Sequence, residues 1–218
     1  MLLILSLPKS CHFRLETVLN FVPLKLSLFF FKLSDSISLF FLWFCIPAIY
    51  WFFVDRTNVK LYGFSIKNFQ PYPYLLFVLL ATPFIFGVSF LDDFSRSYPI
   101  YRTQYAAQYL QVSPVVPVLA FELSYGLAFV ATEFFFRGFL LFTFEKHLGK
   151  GILLPMVVLY CLIHFQKPLL EAITSVFGGL LLGIIALYSR SIYGGIIAHI
   201  GLAWTMDLAG YYQLRTLP

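Results

Sequence analysis

Charge is scarce in this chain. Charged residues make up 11% of its 218 positions, where a soluble domain carries about 25%. Hydrophobic residues reach 60% and mean hydropathy is +0.84, which excludes an ordinary water-soluble domain. Cysteine is scarce as well. Cys11, Cys45 and Cys161 stand far apart with no CxxC pair, which excludes a disulfide framework and a cysteine zinc site. No internal repeat or low-complexity tract is present, and no linker is long enough to divide the chain. Lys9 and Arg14 follow the first apolar run instead of preceding it, the reverse of a secretory signal. The net charge of +5 is spread out. It fits Lys and Arg at membrane surfaces and argues against nucleic acid as a partner.

What remains is apolar and aromatic, with 27 Phe and 14 Tyr. The length suits about six short spans at about 20 residues each. Residues 37–54, 71–90, 115–144, 152–165, 169–188 and 192–208 are the candidates. The expected fold is all-α, a polytopic integral membrane helix bundle of about six transmembrane helices. Residues 1–34 read as an interfacial or poorly spanning segment, because Pro23, Lys25 and Lys32 interrupt it. Residues 35–114 hold the first spans and a polar connection over 91–114, expected to be an amphipathic surface helix. Residues 210–218 form a short tail. Slightly more Lys and Arg fall on the N-terminal side, so the N-terminus is expected inside a cytoplasmic membrane. Gly179 and Gly183 make a small-xxx-small pair that lets another helix approach closely.

The organising stretch is 115–144. It is long and apolar enough to cross a bilayer, yet it contains Glu122, Glu133 and Arg137. Charges at membrane depth cost a few kcal/mol on insertion scales, so they face the protein interior. Glu133 and Arg137 are four apart and share a helical face; Glu122, three turns earlier, falls on nearly the same stripe. Glu122 can pair with an Arg of the 91–114 connection. His164 ends one apolar run, His199 lies inside another, and Asp207 near the end of the last span is expected to be wet. A carboxylate and two imidazoles converging from three helices can activate water, with or without a divalent metal such as zinc held by His164, His199 and Glu133. Each residue also has a structural role open to it. Glu133 and Arg137 can neutralise each other, His164 can cap the carbonyls of its helix, and His199 can hydrogen-bond a neighbouring helix.

The stretches Thr132-Glu133-Phe134-Phe135-Phe136-Arg137, Tyr160-Cys161-Leu162-Ile163-His164 and His199-Ile200-Gly201-Leu202-Ala203 come in that order. Together they resemble the CAAX protease and bacteriocin-processing (CPBP, or ABI) family of intramembrane proteases. That family shows Glu-Glu-x-x-x-Arg, then Phe-x-x-x-His, then His-x-x-x-Asn. The resemblance implies a catalytic helical core over 115–209 and a membrane-embedded endopeptidase acting on a lipidated or membrane-delivered peptide among membrane lipids. It makes Glu133 the general base, with His164 and His199 orienting water or binding metal and Arg137 holding Glu133 ionised. The chain departs from the family at two points: Thr132 stands for the first Glu and Ala203 for the Asn. Glu133 then serves only if the helix is rotated or locally deformed, because adjacent helical residues point about 100° apart. The departures also suit a non-catalytic membrane scaffold. A small transporter lined by Glu122, Glu133 and Arg137 is a third possibility, against which the lack of repeated spans speaks.

Overall fold

The computed structural model describes residues 24–55, 60–67 and 69–216. It is 83% helix, and no strand occurs among the described residues. Helices stand at all six expected positions. Helix α1 (Leu24–Phe40) passes through a π-helical turn (Phe41–Cys45) into α2 (Ile46–Phe53). Helix α3 covers Tyr72–Val88, and two short helices follow, α4 (Asp92–Ser97) and α5 (Gln104–Leu110). Helix α6 (Val115–Glu133) continues through a second π turn (Phe134–Leu140) into α7 (Leu141–Leu148). Helices α8 (Leu153–Leu162), α9 (Leu169–Ser189) and α10 (Tyr193–Thr216) complete the bundle.

Among the described residues, three stretches are long and apolar enough to cross a membrane: Leu26–Phe53, Val115–Leu162 and Leu169–Ser189; α3 is a shorter apolar helix. The middle stretch is two helices, since Gly149 turns the chain at φ +54. From Val115 to Leu148 the run is about 50 Å at 1.5 Å per residue, longer than a hydrocarbon core, so it tilts or projects. The outer surface is greasy: Phe53, Leu80, Leu154 and Phe177 are all more than half exposed. In water, that much exposed apolar surface would drive association.

Two expectations are corrected here. The first helix starts at Leu24, not at residue 37, and runs without a break past Lys32; residues 1–23 lie outside the described residues. The 91–114 connection is not one surface helix. It is a strap of two short helices whose Phe94, Tyr98, Ala106 and Ala107 are buried in the bundle. Ile100 N–H donates to Asp207 Oδ1 at 2.7 Å, and Tyr211 Oη donates to the Tyr101 carbonyl at 2.7 Å, so the strap is bonded to α10. An isolated amphipathic pattern cannot show that a polar segment has backbone donors to spend on a buried carboxylate.

The two π turns face each other through aromatic rings. Phe44 lies 4.4 Å from Phe134 and Trp43 lies 5.1 Å from Phe135, centroid to centroid. The first turn has a local cause. Pro47 has no N–H to give the carbonyl four residues back, and a shift in hydrogen-bond register accommodates that. Beside the second turn, the segment Lys60–Gly63 takes left-handed backbone at Leu61, Tyr62 and Gly63 and presses its main chain onto Gly138. A Cβ at Gly138 would lie 2.8 Å from the Tyr62 carbonyl oxygen. That contact is to backbone, so no side chain can move aside. Gly138→Ala should therefore lower stability by about 1–3 kcal/mol, the usual overpacking cost. The midpoint of thermal unfolding in detergent checks this, and an unchanged midpoint would show that the segment yields. Gly179 and Gly183 behave as their spacing implies. Their missing Cβ atoms make room for Tyr160 and Met156 of α8, at 2.8 and 2.5 Å.

Candidate active site

The site forms where α6 ends. Glu133 is the last residue before the π turn, and Arg137 lies inside that turn. A π turn carries one more residue per turn than an α-helix, so it rotates the following side chains. Glu133 itself precedes the turn and keeps α-helical backbone, so the turn re-aims Arg137 and the residues after it, not Glu133. Glu133 is fully buried, and so is Arg137. Glu133 Oε1 accepts from Arg137 Nη1 at 2.9 Å and from His199 Nδ1 at 2.9 Å. The other carboxylate oxygen, Oε2, is enclosed against Gly195 of α10, where a Cβ would collide with it. Only glycine at 195 lets α10 come this close to the carboxylate.

The Arg137 guanidinium lies 3.8 Å from the centroid of the Tyr160 ring. A cation over an aromatic face is stabilised without losing further water. Tyr160 in turn accepts, through its carbonyl, from His164 Nδ1 at 2.9 Å. The capping bond expected of His164 is thus present. It also sets the ring, because a carbonyl can only accept: Nδ1 carries the proton and the Nε2 lone pair is left over. His199 follows the same logic, since its Nδ1 proton goes to the Glu133 carboxylate. The two rings lie 6.3 Å apart and are inclined by only 24°. Phe129 stacks on His199 at 4.2 Å. His164 is 8% exposed and the His199 side chain 13%, against 0% for Glu133. The histidines, not the carboxylate, are what a molecule entering from outside would meet.

Glu133, Arg137, His164 and His199 therefore converge. Glu122 and Asp207 do not join them. Asp207 is 1% exposed and not wet. It lies within hydrogen-bonding reach of Glu122, whose carboxylate faces it instead of an arginine of the strap. Its burial follows from its place on α10: a carboxylate accepting a backbone N–H can leave water at tolerable cost. Thr132 points away from the chemistry, its hydroxyl donating to the Ala128 carbonyl at 2.9 Å. Ala203, one turn beyond His199, is buried and brings no donor. Gly195 is a component that spacing alone did not mark, because a glycine opening a helix is too common to single out.

Among the described residues, no three His, Cys, Asp or Glu side chains are grouped to hold a metal ion. Glu133 Oε1 already accepts two donors and Oε2 is enclosed. The set of His164, His199 and Glu133 thus does not fit zinc in this arrangement.

Comparison with known proteins agrees with the motif order. The family model described as type II CAAX prenyl endopeptidase, Rce1-like, matches residues 114–205, a stretch that contains all four converging side chains. No curated protein and no solved structure matches the chain.

Proposed function

Because residues 114–205 match the type II CAAX prenyl endopeptidase, Rce1-like, family model, we propose that this integral membrane protein is an endopeptidase that cuts near the C-terminus of a prenylated, membrane-held peptide. The observation that carries the proposal is the pair of bonds meeting at Glu133 Oε1, with the His164 ring alongside. In this reading Glu133 works through His199. Its charge holds the Nδ1 proton and stabilises the imidazolium that forms, so Nε2 becomes the proton acceptor. Water bound at His199 Nε2, with its second hydrogen on His164 Nε2, gives up one proton and adds to the scissile carbonyl. The same Nε2 then returns the proton to the departing amine. No covalent intermediate forms, and no step is routed through a metal. Arg137 supplies, at 2.9 Å, the opposite charge that a carboxylate buried at this depth requires. Ala203 leaves the oxyanion without the side-chain donor that the family pattern places there, which lowers the rate on the order of 100-fold.

The test uses the purified protein in lipid vesicles with a prenylated peptide ending C-a-a-X. Release of the C-terminal fragment, with one oxygen from isotopically heavy water in the new carboxyl group, is the expected result. His164→Ala should lower kcat about 100-fold, and a chelator should leave the rate unchanged. Absence of any fragment from the wild-type protein would sink the proposal. The second reading is a non-catalytic scaffold. It is favoured by the complete enclosure of the Glu133–Arg137 pair and by Thr132 being bonded to its own helix.

A further inference from the structure

A lysine stands one turn past His164 with its charge weakly held. Lys167 lies in the connection between α8 and α9, and its backbone N–H donates to the His164 carbonyl at 3.0 Å. Its position is therefore tied to that of the histidine. The ammonium makes only long contacts: 3.4 Å to Tyr98 Oη, 3.4 Å to Tyr125 Oη and 3.8 Å to Glu171 Oε1. Glu171 gives its short bond elsewhere, accepting from Tyr98 Oη at 2.6 Å. Burial raises the Tyr98 phenol above its ordinary range, so it stays a neutral donor to Glu171. The Lys167 side chain is 28% exposed. It stands at a groove of about 560 Å³ whose walls include Phe165, Leu169, Ile173 and Val176. Asp93 also borders the groove, but its Oδ2 accepts from Leu169 N–H at 2.8 Å. An under-bonded ammonium beside an apolar wall fits a carboxylate flanked by aliphatic side chains.

A peptide ending C-a-a-X has that chemistry at its end: a free carboxylate and two aliphatic residues. The distance also fits. Three extended residues reach about 10 Å. Tyr125, against which the ammonium rests, lies two helical turns before Glu133, about 12 Å along α6. Among the described residues the carboxylate in ion-pair reach of the ammonium is Glu171, at 3.8 Å, with Asp207 acting from further off; the Glu171 pair is long enough to be exchanged for a shorter one.

We propose that Lys167 anchors the C-terminal carboxylate of the substrate, with its aliphatic residues along the groove between α8 and α9, and so sets how far from the chain end the cut falls. The proposal rests on the endopeptidase reading, and its test is a binding measurement that needs no turnover. Fluorescent S-prenylated peptides ending Cys-Val-Ile-Ser are prepared as the free acid and as the C-terminal amide. They are titrated against the full protein in nanodiscs of neutral phosphatidylcholine, with Lys167→Met and Lys167→Arg beside it. The wild type should bind the acid about ten-fold more tightly than the amide, the size of one charge-assisted hydrogen bond. Lys167→Met should bind both forms at the amide's level, and Lys167→Arg should restore the preference. Equal binding of acid and amide by the wild type overturns the proposal whether or not the variants fold. So does a Lys167→Met protein that keeps the preference, or one that loses both forms equally, which would mark a packing or lipid contact. A protein that shows the Lys167-dependent preference but cuts neither peptide would leave the anchor standing and defeat the hydrolytic reading alone.

Discussion

Replacing His199 with Gln should cut hydrolysis about 10³-fold, within the range that a positioned acid–base group contributes, while the bundle stays folded. The two outcomes separate because His199 is the member of the cluster with least structural burden. Glu133 keeps Arg137 as its partner at 2.9 Å when His199 is replaced. The ring itself is 13% exposed and packs chiefly on Phe129. Gln fills similar space and can still donate to Glu133, but its amide cannot take a proton from water near neutral pH. An enzyme therefore loses turnover and keeps its unfolding midpoint. A scaffold that uses His199 to join α10 to α6 loses the midpoint instead. Initial rates in vesicles and thermal unfolding in detergent, measured on the same preparations, decide between them. An unchanged rate would remove His199 from the chemistry outright.

Much of this site could be read from residue type and spacing. Charges inside an apolar run must find partners, and an i, i+4 Glu–Arg pair finds its own; Glu133 and Arg137 do so. A histidine ending one apolar run and another inside a second had few places to go but inward. The direction in which Glu133 points could not be read this way. It depends on α10 closing on α6 so that Gly195 and His199 meet the carboxylate, the latter a contact 66 residues apart in sequence. The same limit hid Asp207. Its burial depends on a backbone N–H from Ile100 in the strap, a tertiary contact with no periodic signature. Lys167 stands before Pro168 between two apolar runs, and only the fold sets it beside Tyr98 and Tyr125. The first clear span was placed too late because Pro23, Lys25 and Lys32 read as interruptions. In the structure the helix from Leu24 packs along α6 and keeps going.

Arg137→Met should be the most damaging single change to stability. Both members of the Glu133–Arg137 pair are fully buried, and removing one partner of such a pair costs about 3–5 kcal/mol because the other charge is left uncompensated. That is a large part of the 5–15 kcal/mol that holds a typical domain together. Glu133 would then depend on His199 alone. With Arg137 gone, nothing on α6 fixes the carboxylate that orients the His199 ring. Activity should therefore fall along with stability. Glu133→Gln should destabilise for the mirror reason, leaving the guanidinium over Tyr160 without its carboxylate. The double variant Glu133→Gln/Arg137→Met removes both charges and should recover most of the lost stability, because an uncharged pair of similar volume carries no desolvation penalty. It should not recover activity, since a neutral amide can accept the His199 proton but cannot stabilise the imidazolium as the carboxylate does. Unfolding midpoints of the four proteins form a cycle whose coupling should exceed about 2 kcal/mol for groups in direct contact. Additive losses would mean that the pair is not what locks the end of α6. A double variant that regains both stability and turnover would mean that water is activated without Glu133.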